Sequence, residues 1–512
     1  MMRSNFLKAS LTAVSLVAGL TACDADKLTE VNANPNAPER VQSSALFTSG
    51  VAGVMQNLRG AGMEHGLGGV WDQHFAEIQY PEDDLSKPRN ATIEFFWTAL
   101  YAGTLTGPTQ GSLQEFVQIL KQETNPNIIA PTLVMRAFTI EAITDFWGDV
   151  PFTQAGQGAD DYTPAYDSQQ SIYDSIFVSL DRAVAIMDPE DLVEGHWLSD
   201  ADPVYAGDLD QWTKLANSLH ARAAMRISFV DPSKATAELT KALSGPVFES
   251  NDDNAAVVWP GGTLANPLCL NWSDADCGGT RDDQRVSKRL VDTLKVNNDP
   301  RLFAYAEPTG ASQKDAPSTC DIPYRGYPNG LNTPSETNTC TGKVFSLGDY
   351  SRPTLAIRSA TSPSYIMTYA EILFIKAEAA ARNLIPGDPA ALYNEAITAS
   401  MEQWGIAPGD IAAYLGQAKV TYKGGAAGLN QIAYEKWVAL YNQETEAYAE
   451  WRRLDYPVLV PGPNQTPSLI PTRLPYPDIE NSLNAENLAA AEAAQGSADN
   501  TTIKGRVWWD TK

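Results

Sequence analysis

The chain has 512 residues, with 37 Lys and Arg against 62 Asp and Glu, and a formal net charge of −25 at pH 7. Binding to nucleic acid or anionic lipid depends on patches of Lys and Arg, so we set nucleic-acid binding aside for so acidic a chain. The length allows a large buried core, in one big domain or in two intimately packed ones.

The N-terminal segment is typical of a cleaved secretion signal. Arg3 and Lys8 give it a positive start, and the apolar run Ala9–Gly19 is far shorter than the roughly 20 residues that a membrane-spanning helix needs. The following Leu-Thr-Ala-Cys resembles a bacterial lipobox, in which small side chains permit cleavage and the thiol of Cys23 receives acyl chains. Such residues also occur by chance in apolar runs, but their placement after a charged start favours lipidation. Lipid on Cys23 would tether the protein to a membrane.

Changes in composition divide the chain into three segments. We expect residues 1–22 to be removed and residues 23–45, which are polar and rich in Asn and Pro, to form a lipidated tether. Residues 46–512 are expected to form the folded domain, with a loop-rich insertion at about 250–350. No segment after the signal is long and apolar enough to span a bilayer.

The first strong helical pattern lies in PTLVMRAFTIEAITDFWGDVPF. One apolar stripe runs from Leu133 to Thr144 at steps of four and three residues. Gly148 and Pro151 follow it and are expected to end the helix.

Two further stretches resemble tetratricopeptide helices. In DLDQWTKLANSLHARAAMRI, the offsets from Trp212 to Leu219 match the pattern W-x₂-L-G-x₂-Y, with Ala216 at the position of a small residue. In YAEILFIKAEAAARNLIPGDPAALYNEAITASMEQWGI, two helices are broken at Ile385–Gly387. Together these patterns predict a mainly α-helical fold of packed, tetratricopeptide-like hairpins instead of a sheet fold.

Between about Phe248 and Arg358 the helical period fades and Gly, Pro, Asn, Asp and Cys take over. A structureless loop of that length is uncommon inside a compact domain, so we predict a loop-rich lobe stapled by disulfides. The four cysteines remaining after Cys23 allow three pairings, and short-loop closure favours the pairs Cys269 with Cys277 and Cys320 with Cys340. A metal site is the alternative, but no histidine lies near them and neither pair has a CxxC spacing.

Several stretches together resemble the SusD/RagB-like nutrient-binding outer-membrane lipoproteins. They are DFWGDVPFTQA, WTKLANSLHARAAMRI, YAEILFIKAEAAAR, EKWVALYNQETEAYAEWRRLDYPVL, IPTRLPYPDIENSLNAEN and the terminal VWWD, all downstream of the lipobox. The resemblance implies a helical fold built on tetratricopeptide-like hairpins and a lipid anchor at the outer membrane, usually at the cell surface. It also implies a SusC-like TonB-dependent transporter as partner and nutrient capture for import, most often of oligosaccharides, without catalysis and without a cofactor.

The stretch EKWVALYNQETEAYAEWRRLDYP is interpreted as structural. Its aromatic residues Trp437, Tyr441, Tyr448 and Trp451 lie at helical spacing, which is more often a core stripe than a binding surface. Glu450 and Arg453 are placed to pair one turn apart. The alternative makes Trp451 and Arg452 ligand contacts.

Sugar sites combine flat aromatic rings with amides and carboxylates, so aromatic residues in polar loops are the binding candidates. In the loop-rich lobe they are Trp259, Trp272, Tyr324 and Tyr327, with Asn271, Asp274, Arg281 and Arg325 beside them. A second cluster lies in GGVWDQHFAEIQYP, at Trp71, Asp72, Gln73 and Tyr80. A packing role is the alternative for each of these aromatic rings.

Other chemistries have weaker support. The acidic loop WSDADCGGTRDDQR offers oxygen ligands for calcium but lacks the DxDxDG spacing, and the four histidines show no HExxH spacing, so no metal is assigned. A glycoside hydrolase is one rival function, because two suitably spaced carboxylates suffice for that reaction. A tetratricopeptide-type protein-interaction scaffold is another. No GxSxG, P-loop or GxGxxG motif favours catalysis.

Overall fold

The long amphipathic stretches form the helices that carry the fold. The structure, a computed structural model, describes residues 41–104, 111–157, 162–191, 198–272, 277–279, 281–309, 323–337 and 342–512. The signal segment, the lipidation site Cys23, most of the tether, Asp274, Cys320 and Cys340 lie outside these residues. Within the described part, Ser43–Lys512 forms one compact unit.

The helices follow one another along most of the described chain. They are α1 Ser43–Leu58, α2 Asn90–Ala102, α3 Leu113–Gln122, α4 Pro126–Trp147, α5 Gln169–Ile186, α6 Leu209–Arg226, α7 Pro232–Ala242, α8 Lys288–Asn297, α9 Leu302–Tyr305, α10 Leu355–Arg358, α11 Tyr369–Ala381, α12 Pro389–Gln403, α13 Pro408–Leu415, α14 Gly425–Ala439, α15 Glu444–Leu454, α16 Glu480–Leu483 and α17 Ala485–Ala494, with a π-helix at Ala61–Gly68. The strands are β1 Phe75–Glu77, β2 Val150–Pro151, β3 Tyr166–Asp167, β4 Ala255–Val257, β5 Gln284–Val286 and β6 Ser364–Met367.

The predicted helices are confirmed, and their ends have local causes. Helix α4 begins after Asn125, whose side chain accepts a hydrogen bond from the backbone N–H of Asn127, and it ends at Gly148, where φ is 81°. Helix α6 begins after Asp208, which caps two backbone N–H groups. The predicted break near Pro386 separates α11 from α12.

Consecutive helices pack as neighbours, which gives the tetratricopeptide-like arrangement. Helix α4 packs on α5, α5 on α6 and α6 on α7, and later α11 packs on α12 and α14. The apolar residues on the facing stripes are buried, as in Trp212, Leu215 and Leu219 of α6. None of the helices in the described ranges is both long and apolar enough to cross a membrane.

The loop-rich lobe contains more regular structure than its composition indicates. Helix α8 was not predicted, although Ser287 caps it and Leu290, Val291 and Leu294 are buried. The disulfide between Cys269 and Cys277 is confirmed, with the two Cα atoms 6.1 Å apart.

A buried network of charged groups joins α15 to the helices around it. Arg226 of α6 contacts Asp145 of α4 and also Glu446 and Glu450 of α15. Glu450 additionally pairs with Arg453, one turn later, as predicted. Burial opposes ionisation of Glu450, but the cations beside it prevail and hold its pKa well below the usual value.

The core interpretation of the aromatic stretch is confirmed for Trp437, Tyr441 and Tyr448, which are buried. A turn separates α14 from α15, so the stretch forms two helices. Trp451 is partly buried and packs against the core that contains Tyr448, with its indole N–H donating to the carbonyl of Pro457. The guanidinium of Arg452 donates to the carbonyl oxygens of Asp145 and Thr472 in the interior.

Candidate functional site

Two distant parts of the sequence meet in a short antiparallel ladder. Strand β1 pairs with β5, with Glu77 opposite Gln284. The ladder continues where the backbone N–H of Ile78 donates to the carbonyl of Asp283 at 2.8 Å. This pairing sets the segment that leads to Tyr80 beside the loop-rich lobe.

A cleft opens beside this ladder. Its volume is about 460 Å³, and we call it the Tyr80 cleft. Its lining comes from the π-helix, the segment after β1, the start of α2 and the loop before β5, and it comprises Ala61, Gly62, Gly66, Glu77, Gln79, Tyr80, Asp83, Arg89, Ala91, Thr92, Phe95, Phe96, Asn271, Arg281, Asp283 and Gln284. Three predicted binding residues, Tyr80, Asn271 and Arg281, therefore lie in one cleft.

Two half-exposed aromatic rings mark the Tyr80 cleft. Tyr80 is 52% exposed and Phe95 is 51% exposed. The backbone of Tyr80 has φ 54°, in the left-handed region that side chains other than Gly seldom adopt. Strained residues of this kind are found disproportionately at functional sites.

Arginines surround the Tyr80 ring. The guanidinium carbon of Arg281 lies 5.1 Å from the ring centroid and that of Arg89 lies 6.0 Å from it. Arg281 is itself held by Asp283, with Nε donating to Oδ2 at 2.6 Å. Asn271 donates from its side-chain amide to the side chain of Gln284. The polar groups around the ring are thus oriented by protein partners.

Buried carboxyl groups lie on the inner side of the cleft. Burial raises the pKa of Asp83 to about 6, although the charge of Arg89 opposes the change. Burial also raises the pKa of Glu77 well above its usual value, and the charges of Asp83 and Asp84 add to this. Both groups therefore favour the uncharged carboxylic acid more than an exposed carboxyl would.

A second cleft continues from the first. It has a volume of about 240 Å³ and shares Ala61, Gly62, Phe95 and Phe96 with the Tyr80 cleft. Because its outer lining includes the exposed side chains of Leu264 and Leu270, we call it the Leu264 cleft. The two clefts adjoin each other at these four shared residues, and we call the two together the groove.

Comparisons with known proteins identify the fold and the family. The sequence profile of the SusD-like family, described as "Starch-binding associating with outer membrane", matches residues 35–477. The chain belongs to the SusD-like family. No curated protein matches this SusD-like chain in a sequence comparison.

Solved SusD-like structures share the fold of this SusD-like protein. A chitin-binding protein is 27% identical with a TM-score of 0.76, and the match covers 92% of this chain and 100% of that one. A chitin-binding SusD homolog from Flavobacterium johnsoniae is 24% identical with a TM-score of 0.76, over 91% and 99% of the two chains. A SusD homolog from Bacteroides uniformis is 24% identical, also with a TM-score of 0.76, over 92% and 100%.

Four of the predicted aromatic rings in this SusD-like protein are buried. Trp71, Trp272 and Tyr327 have no exposed surface, and Trp259 is buried while its indole N–H donates to Ser364 Oγ at 2.9 Å. Trp71 donates from its indole N–H to the carbonyl of Asp83. Their sequence surroundings are polar, but the chain turns these rings toward the core. A fully buried ring offers no face to a sugar, so we do not retain Trp71, Trp272 and Tyr327 as stacking residues. Trp259 is buried as well, but it belongs to the lining of the Leu264 cleft.

The remaining predicted residues lie apart from the Tyr80 cleft. Gln73 is buried and donates to the carbonyl of Val460 at 2.7 Å. Arg325 donates to the carbonyl of Asp349 and lies over the ring of Phe345. Tyr324 lines a separate cavity of about 950 Å³, next to Phe303.

Sequence reasoning missed Phe95 and Arg89. The buried residues Ile93, Phe96 and Leu100 lie on the inward stripe of α2. Phe95 falls off that stripe, so an aromatic residue on the solvent side of a helix was the available signal. Arg89 immediately precedes the helix and had no comparable signal.

A separate group of residues has the arrangement of metal ligands. Among the described residues, Asp72, His74 and Glu444 offer ligand atoms that all lie within 4.8 Å of one another. None of the three lines the Tyr80 cleft. Asp283, part of the acidic loop considered for calcium, pairs instead with Arg281.

Proposed function

We propose that this SusD-like protein captures an oligosaccharide in the groove formed by the Tyr80 and Leu264 clefts. It is held at the cell-surface side of the outer membrane by lipid on Cys23, and it delivers its ligand to a SusC-like TonB-dependent transporter without breaking bonds. Membership of a family described as starch-binding and associated with the outer membrane supports this role.

The observation that carries the proposal is the pair of half-exposed rings in the groove. Sugars present apolar C–H faces to aromatic rings and hydroxyl groups to polar neighbours. Tyr80 and Phe95 supply the rings, and Asn271, Arg281 and Glu77 supply amide, guanidinium and carboxyl groups beside them. Rings and polar groups in this combination fit a carbohydrate better than a purely apolar ligand.

Chitin-type oligosaccharides are the ligand class that we propose. A chitin-binding protein and a chitin-binding SusD homolog are among the similar solved structures. A chain of N-acetylglucosamine carries no charge and has one acetamido methyl group per sugar. The exposed leucines of the Leu264 cleft offer apolar contacts for these methyl groups.

The carboxyl groups of the Tyr80 cleft support binding instead of hydrolysis. A glycosidase needs one protonated carboxyl and one ionised carboxylate on opposite sides of the scissile bond. Burial pushes the pKa of both Glu77 and Asp83 upward. Asp283 is occupied by Arg281. Glu77 and Asp83 both favour the protonated acid, so these two groups do not supply the combination of one acid and one carboxylate that a glycosidase needs.

The direct test is calorimetric titration of the full chain, purified in detergent, with soluble N-acetylglucosamine oligomers and with a panel of other oligosaccharides. Each mixture is then assayed for new reducing ends. We expect saturable binding of the N-acetylglucosamine oligomers and no new reducing ends. New reducing ends would make the protein a hydrolase. Binding to no member of the panel, with the transporter still co-purifying, would favour a scaffold and overturn the proposal.

Variants locate the site. Covering half of an aromatic ring removes roughly 40–80 Å² from water, which corresponds to about 1–2 kcal/mol. Tyr80→Ala and Phe95→Ala are therefore each expected to weaken binding by roughly 5- to 30-fold. Tyr162→Ala is the matched control, because Tyr162 is 77% exposed and lies outside both clefts. Weaker sugar binding by Phe303→Ala, with unchanged binding by Tyr80→Ala, would instead place the ligand in the cavity lined by Phe303 and Tyr324.

A further inference from the structure

Three potential metal ligands converge in the interior near the start of α15. Nδ1 of His74 contacts Oε2 of Glu444 at short range and lies 3.5 Å from Oδ2 of Asp72. All three side chains are completely buried. A single ring nitrogen therefore faces oxygen atoms from two carboxyl groups, and one N–H cannot serve both well.

The charges around this group do not balance. Glu64 is buried beside it, so three carboxyl groups share the region with the one guanidinium of Arg59. With a neutral imidazole, the ionised groups would carry a formal charge of −2, which a divalent cation would neutralise.

Two buried carboxyl oxygen atoms in this region lack a hydrogen-bond partner among the described residues. Oδ2 of Asp72 and Oε1 of Glu64 have no hydrogen-bond partner within the described ranges. The other oxygens of these groups are engaged, since Oδ1 of Asp72 accepts from the backbone N–H of His74 and Oε2 of Glu64 accepts from Arg59. Buried polar atoms without partners are rare in folded proteins and call for a specific explanation.

The backbone permits this close approach. The π-helix ends at Gly68, where an added Cβ would lie 3.0 Å from the backbone carbonyl of Glu444. The π-helix and α15 pack directly on each other. Single-turn π-helical segments occur frequently at functional sites.

We propose that Asp72, His74 and Glu444 bind a divalent transition-metal ion, with Zn²⁺ as the best match. Zn²⁺ accepts both imidazole nitrogen and carboxylate oxygen as ligands, whereas Ca²⁺ prefers oxygen alone. A fully buried site of this kind is structural. It joins the segment before β1 to α15, two parts of the chain that are 370 residues apart at His74 and Glu444.

The sequence interpretation assigned no metal, so this proposal departs from it. That interpretation looked for histidines at helical spacing, whereas only one histidine contributes here. Asp72 lies two residues before His74, whereas Glu444 lies 370 residues after it, so the three residues form no local sequence motif.

The test is the metal content of the full chain by inductively coupled plasma mass spectrometry, after unfolding, removal of metal and refolding with Zn²⁺. The wild type is expected to retain about one equivalent per chain after dialysis. In the wild type, Asp72 accepts a hydrogen bond from the backbone N–H of His74, and Glu444 accepts one from the backbone N–H of Asn442. Asp72→Asn and Glu444→Gln keep an oxygen atom for these hydrogen bonds but remove the negative charge. Each variant should therefore weaken Zn²⁺ binding at least about 10- to 100-fold.

His220→Gln is the matched control. His220 also lies between two carboxylates, but Glu238 faces Nε2 and Asp181 faces Nδ1, so the two cannot share one ion. We expect its metal content to equal that of the wild type.

A second measurement does not depend on the variants folding. Zn²⁺ should raise the melting temperature of the metal-free wild type, and a chelator should reverse the rise. Wild-type protein that holds no more metal than Asp72→Asn, or that shows no Zn²⁺-dependent rise in melting temperature, would overturn the proposal. In that case the buried carboxyl groups share protons instead.

Discussion

Removing one buried guanidinium should destabilise the whole helical domain. Arg226 is fully buried and contacts Asp145 at 3.2 Å as well as Glu446 and Glu450 at 2.5 Å each. Arg226→Met keeps the apolar stem but leaves these carboxylates with less positive charge around them. Lys436 and Arg453 still pair with Glu450 in this variant, which limits the loss of folding stability.

The magnitude follows from the burial of the network. Breaking a buried ion pair by removing one partner costs about 3–5 kcal/mol. For a unit of about 470 residues, the unfolding entropy of about 2.1 cal/mol/K per residue gives about 1 kcal/mol/K. The melting temperature of Arg226→Met should therefore fall by about 3–5 °C.

The assay is urea and thermal unfolding followed by circular dichroism. Lys288→Met is the control, because Lys288 and Asp292 form an exposed pair, each 46% accessible, and such a pair contributes about 0–1 kcal/mol. Equal stability of Arg226→Met and Lys288→Met would show that Arg226 does not stabilise the buried network.

Three further changes test other parts of the account. Cys23→Ala should release the protein from membranes in cell fractionation, and unchanged retention would contradict the lipid anchor. Burial raises the pKa of Asp84 from 3.8 to about 7, so the folded protein holds a proton that the unfolded chain loses, and stability falls as the pH rises across that interval. Asp84→Asn should flatten the fall in melting temperature between about pH 4 and pH 7, and an unchanged slope would contradict the shift. Replacing Cys269 and Cys277 by Ser removes the cross-link between two residues that are eight positions apart. It should lower the stability of the short helical turn Cys269–Asn271 by up to about 2–3 kcal/mol, measured by hydrogen exchange. Unchanged protection of that turn would show that the disulfide does not stabilise it.

The helices were predictable because their apolar stripes are long. Helices α4 and α6 each carry a stripe of several turns with a clear cap or glycine at an end. Helix α8 is only ten residues long and lies among loops, so its three buried residues gave too little periodicity to distinguish it from its surroundings.

The candidate site was predictable only in part. Tyr80, Asn271 and Arg281 were selected because they are aromatic or polar residues in polar segments, and they do share a cleft. Trp71 and Trp272 passed the same criterion but are buried. The difference arises from tertiary structure, since local sequence does not show which way a loop turns its rings.

The pairing that assembles the cleft left no trace in the sequence. Strands β1 and β5 are three residues each and buried throughout, so they show none of the alternation that marks a half-exposed strand. Their pairing joins segments about 200 residues apart along the chain. The proposed metal site likewise joins residues that lie far apart in the sequence, His74 and Glu444.

The most direct test of the account is a crystal structure of the protein soaked with an N-acetylglucosamine hexamer. We expect sugar rings against Tyr80 and Phe95, with the oligosaccharide extending past Phe95 toward Leu264 and with every glycosidic bond intact. Density for the sugar at Phe303 and Tyr324, or a cleaved product in the groove, would contradict it.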